Sequence, residues 1–171
     1  MTHYKDADQI LGFAFGEVLP DQGCILTDIF VRTPRGQGQL EGKRSGLIVH
    51  QDVLQDILAA KQPMLEAMTE MGADRDVLAP ARIELPAWDQ GPTLRSTGGA
   101  VYLCQSFGIT EVVPEFGAVA AVIDVTLLGG PKAESHKNDY LIPRHVLLTL
   151  LADIPKVLAK IGKGGGAAAV H

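Results

Sequence analysis

Two β-prone runs held four residues apart restrict this chain more than any other feature. Residues 10–19, ILGFAFGEVL, are apolar and interrupted by Gly12 and Gly16, the pattern of a strand that bulges or is closely approached by another backbone. Residues 24–33, CILTDIFVRT, are rich in β-branched and aromatic side chains. Between them stands Pro20-Asp21-Gln22-Gly23, in which proline fixes one φ and glycine can adopt a positive one. The spacing predicts an antiparallel hairpin.

The rest of the chain alternates in character. Residues 33–46, TPRGQGQLEGKRSG, read as a charged loop that turns into a helix near Leu40 to His50. Leu54, Ile57, Leu58, Leu65 and Met68 fall at helical spacing, and Pro63 divides them into two helical pieces hinged at that proline. VLAPARIELPAW at 77–88, bounded by Pro80 and Pro86, reads as an edge strand, and GPTLRSTGG as a loop. AVYLCQSFG at 100–108 reads as a short helix closed by Gly108. Two strands follow, ITEVVP and the central, doubly apolar FGAVAAVIDVTLLGG; PKAESHKND at 131–139 reads as a solvated loop. A helix from Tyr140 carries Val146, Leu147, Leu150 and Leu151, ends at Pro155, and gives way to a second short helix capped by Asp153. No internal repeat or interdomain linker is evident. The expectation is one domain over 1–162 with a flexible tail at 163–171, built as α+β: a mixed β-sheet with its helices packed on one face.

Composition excludes several classes. With 46% hydrophobic and 20% charged residues the chain is not disordered over most of its length, and a net charge of −5 argues against broad nucleic-acid binding. No apolar window is long enough to span a membrane, and the start lacks the pattern of a signal peptide, so a cytoplasmic protein is expected. Two cysteines, Cys24 and Cys104, make no disulfide framework, and no metal site is expected from their spacing.

The candidate chemistry is sparse. Gly36-Gln37-Gly38 with Gly42 lacks the endings of nucleotide-binding loops, although Arg32, Arg35, Lys43 and Arg44 make that segment basic. His50, His136 and His145 stand in no acid–base or metal-ligand spacing, and neither cysteine sits in an activating environment. Asp28 and Asp124 are the unusual residues, because each puts a carboxylate inside an apolar strand. Such a group must face water, a basic partner or a ligand pocket.

On four segments the chain resembles the formaldehyde-activating enzyme family: Gly16-Glu17, Pro34-Arg35-Gly36, Ser45-Gly46-Leu47, and GAVAAVIDVTLL followed by Lys137-Asn138-Asp139-Tyr140. The resemblance implies a ribosomal protein S5 domain 2-like fold with a strand over DILAAKQ. It also implies a homo-oligomeric ring, a pentamer being the expected size, and a tetrahydromethanopterin-like pterin as substrate between subunits, with no covalently bound cofactor. The implied activity is condensation of formaldehyde with that pterin, a carbon–nitrogen lyase reaction run in reverse. Where the family carries its acid–base histidine stands Thr27, with Asp28 beside it, and these two are the expected catalytic replacements. By the same likeness Arg35, Leu47, Arg82, Glu84, Ser96 and Thr97 occupy the ligand-binding positions, although none of Arg82, Glu84, Ser96 and Thr97 matches the family's residue. Threonine has no pKa near neutrality, and Asp28 could donate a proton only if burial raised its pKa. The departures leave three readings: a divergent condensing enzyme, a non-catalytic relative that binds or senses a metabolite, and a structural oligomer.

Overall fold

The computed structural model describes residues 7–32, 42–70, 92, 101–128 and 134–169. Strand β1 (Asp8–Leu19) runs through a single 3-10 turn, Pro20–Gln22, into β2 (Cys24–Arg32), and β3 (Gly42–His50) follows. Helices α1 (Gln51–Ala59) and α2 (Lys61–Glu70) come next. The second half holds β4 (Val101–Val113), a 3-10 turn at Pro114–Phe116, β5 (Ala118–Leu128), β6 (Ser135–Pro143) and α3 (Arg144–Ala169). The protein is α+β with a mixed sheet, as the sequence predicts. The sheet closes, however, into a six-stranded barrel with its strands in chain order, rather than staying open with one covered face. Antiparallel ladders join neighbours within each half, and two short parallel seams, β1 to β6 and β3 to β4, complete the ring.

The hairpin forms as expected, with Ile10 opposite Val31 and Leu19 opposite Cys24. Gly23 takes φ 65°, the left-handed conformation that closes its turn. Several other elements differ from the sequence reading. Residues 42–50 form a strand instead of a helix, with Leu47 and Val49 facing the main core and Ile48 a second cluster beside Cys24 and Leu26. Residues 101–108 also belong to a strand. Two bulges in β4 stretch the spacing of its inward residues to Cys104, Phe107, Ile109 and Val112, which imitates helical periodicity. Polar residues 135–139 are strand as well, because β5 supplies the hydrogen-bonding ladder whatever their side chains. DILAAKQ is helical, not the strand that the family resemblance implies. The hinge between α1 and α2 falls at Ala60, so that Pro63 sits in the first turn of α2, where its missing N–H costs nothing. The expected 77–88 strand and, apart from Pro92, the 91–99 loop lie outside the described residues.

Helix α3 begins at Arg144 and runs unbroken past Pro155, so Asp153 caps no second helix. An interior proline costs about 3 kcal/mol. Leu151, Ile154, Val157 and Ile161 flank it at 0–2% exposure, and full burial of such a side chain contributes roughly 1.5–3 kcal/mol. Packing therefore outweighs the proline. The helix continues over 163–169, where composition predicts a tail.

The strands and helices also reveal an internal repeat that the sequence reading did not. Advancing the first hairpin by 94 residues superimposes it on the second: Phe13 on Phe107, Glu17 on Glu111, Val18 on Val112, Pro20 on Pro114, Gly23 on Gly117, Ile29 on Ile123 and Val31 on Val125. Both bulges fall at matching places, and Gly117 takes φ 59° where Gly23 takes 65°. One residue fewer separates the later elements, which puts Val53, Leu54, Leu58 and Leu65 on Val146, Leu147, Leu151 and Leu158. Each helix run starts with the same bond, Gln51 N–H to the Gly23 carbonyl at 2.8 Å and Arg144 N–H to the Gly117 carbonyl at 2.9 Å. The parallel seams exchange too: Leu47 pairs with Tyr102 as Tyr140 pairs with Asp8. The equivalent rings of Phe13 and Phe107 meet with centroids 6.1 Å apart, so the pseudo-twofold axis passes between them. The main core spans all six strands and all three helices.

Candidate functional site

Beside the Phe13–Phe107 pair lies a small apolar cavity of about 20 Å³. Strand β2 presents Thr27 and Ile29 to it, β3 presents Leu47 and Val49, β4 presents Cys104, and the helices close it with Leu54, Ile57 and Leu150. Thr27 stands between Phe15 on β1 and Leu47 on β3. The residue is 2% exposed, and its hydroxyl has no hydrogen-bond partner among the described residues. Leaving a buried polar group unsatisfied costs about 1–3 kcal/mol. The fold does not require this, because the equivalent residue in the second half is Ala121. Cys104 is another departure from symmetry, standing where the first half has Ile10. Its Sγ–H donates to the Ser106 carbonyl at 3.6 Å, and burial, then the Asp124 carboxylate, pushes the thiol up to about 12. At neutral pH it is a thiol and not a nucleophile.

Asp28, expected beside Thr27 in catalysis, is on the other face. Thr27 and Ile29 both line the cavity, so strand alternation turns Asp28 outward. A bulge does occur at this point, but the extra residue belongs to β3, between Arg44 and Leu47, and β2 keeps its alternation. Asp28 is 5% exposed and is not without an interaction partner. The structure therefore separates the two expected catalytic residues and brings Thr27 together with Leu47. Arg35, Arg82, Glu84, Ser96 and Thr97 lie outside the described residues.

Asp124, the second unusual carboxylate, faces a different place. A cleft of about 230 Å³ opens between α1 and the outer side of β4, β5 and β6. Ser106 Oγ donates to Asp124 Oδ2 at 3.4 Å from β4, and Lys137 Nζ lies 4.0 Å from the same oxygen on β6. Sequence reasoning missed Ser106, Gln105 and Asp56 on this cleft and gave Cys104 no role; the 94-residue repeat was the signal that could have exposed them. No group of three or more His, Cys, Asp or Glu among the described residues is placed to hold a metal ion. Among the described residues no helix is long and apolar enough to cross a membrane. A scan of protein-family models, a search of curated proteins and a search of solved structures each return no match.

Proposed function

We propose that this chain is a metabolite-binding protein that holds a one-carbon carbonyl compound in the barrel cavity and does not turn it over by acid–base catalysis. The observation that carries the reading is the unpartnered Thr27 hydroxyl facing an apolar cavity, in a scaffold whose other half does without it. A carbonyl oxygen would accept that O–H, satisfying a hydroxyl that the described residues leave unpaired. About 20 Å³ admits a body on the order of one to two non-hydrogen atoms, so size selects against larger aldehydes. Condensation needs a group that can give or take a proton near neutrality. A threonine hydroxyl and a thiol held up to about 12 do neither.

The proposal keeps the family likeness as the origin of the scaffold, with the ribosomal protein S5 domain 2-like fold as its proposed ancestry. The tetrahydropterin-type ligand, far too large for the cavity, is assigned to a subunit interface of a cytoplasmic ring, and sedimentation of the purified chain measures whether that ring exists. The function is tested by following formaldehyde and tetrahydromethanopterin with and without the protein. The reading expects the spontaneous rate to be unchanged. Acceleration that disappears in Thr27→Val would mean a condensing enzyme and would overturn it.

A further inference from the structure

We propose that the cleft between α1 and the outer face of β4–β5–β6 is a second ligand site, built for a small aliphatic amine bound as its ammonium ion. The charges on its walls do not balance. Asp124 on β5 is partly neutralised by Lys137, whose Nζ lies 4.0 Å away, while Asp56 on α1 adds a further carboxylate to the same cleft. Among the described residues the lining therefore carries one net negative charge, and a monovalent cation completes it. Val53 and Val122 give the walls an apolar surface for an alkyl body. Ser106 orients the Asp124 carboxylate by donating to it at 3.4 Å. Above Gly108 the space is open: a Cβ there would meet nothing within 4 Å. A cavity of about 150 Å³ accommodates benzene, so about 230 Å³ takes an amine of about ten non-hydrogen atoms or fewer.

The repeat shows where the cleft departs from the other half. Gln105, Ser106 and Asp124 stand where the first half has Leu11, Gly12 and Phe30, and Asp56 stands where the other helix has Thr149. In the first half the corresponding face is shut, with Gly12 and Ala14 buried, whereas Ser106 and Gly108 are exposed. The same strand pairing forms with both residue sets, so the difference follows which outer face is covered and which is open. The polar row thus lies on the half whose outer face is open, where a ligand can reach it.

The test is titration of the full-length chain with butylammonium chloride, followed by backbone amide shifts, against potassium chloride at matched ionic strength. Butyrate and butanol serve as controls lacking the cation. The expected result is saturable movement of amides around Gln105–Gly108 and Asp56 with butylammonium alone. Asp56→Asn, an exposed helix-surface change that keeps the fold, should weaken binding at least fivefold. Gly108→Leu, whose Cβ meets nothing within 4 Å and whose side chain takes up space in the cleft, should weaken it at least tenfold. Equal response to butanol or butyrate, no saturable shift up to about 50 mM amine, or unchanged affinity in Asp56→Asn would each refute the site.

Discussion

At the scale of single residues, three side chains sit in surroundings that cost the fold something, and each gives a distinct prediction. Thr27→Val removes an unsatisfied hydroxyl at constant shape, so the unliganded protein should gain about 1–3 kcal/mol, read from denaturant unfolding. Cys104 titrates at about 12 in the fold, well above the ordinary value of 9.0. Between those values the folded state holds a proton that the unfolded state has released. Stability is therefore full below pH 9 and declines as pH rises toward 12, and Cys104→Ala should flatten that alkaline slope. Asp153 is raised above the ordinary 3.8 by partial burial, with Lys156 opposing. Its charged form disfavours the fold, so Asp153→Asn should stabilise the protein at neutral pH, and the gain should vanish once both states are protonated below about pH 3.8. The sequence pointed to Thr27 and Asp28 together and could not separate them, because their order along the strand does not say which face is the inside. Only the pairing of β2 with Phe15 and Leu47 decides that.

At the scale of elements, the hairpin, the central β5 and the α3 stripe were legible because each has a period that its neighbours reinforce. Val146, Leu147, Leu150 and Leu151 are buried as the helical spacing predicts. Strand β4 was illegible for a definite reason. Each bulge adds a residue, so its inward positions 104, 107, 109 and 112 step by three, two and three, close to the spacing of a helix face. Strand β1 carries the same steps at Ile10, Phe13, Phe15 and Val18, and was recognised only because the turn after it announced a hairpin. Polar β6 was illegible for the opposite reason, since a ladder to β5 leaves no trace in side-chain polarity. The two left-handed glycines test the repeat at this scale. Gly23→Ala and Gly117→Ala should each cost about 1–2 kcal/mol in chemical denaturation, and should match within error if the two turns are equivalent. A large cost at one and none at the other would contradict the equivalence.

At the scale of the whole molecule, the repeat explains why two three-stranded sheets close into one barrel. Neither sheet has a partner for both of its edges until the other supplies two parallel seams, and one core then runs through both halves. Unfolding should accordingly be cooperative: slowest-exchanging amides in β2 and in β5 should report the same opening free energy, and two separate values would mean two independent units. Against this symmetric frame the asymmetric residues stand out as candidates for function, with Thr27 and Cys104 at the cavity and the polar row on the cleft. The central claim is that the Thr27 hydroxyl awaits a small carbonyl ligand. The most direct measurement is a ¹H–¹³C methyl spectrum during formaldehyde titration, in the wild type and in Thr27→Val. The account predicts saturable shifts, reversed on dilution, at Ile29, Leu47, Val49 and Ile123 around the cavity. It further predicts that Thr27→Val loses these shifts and that benzaldehyde produces none. Shifts that persist in the variant, or their absence in the wild type, would contradict it.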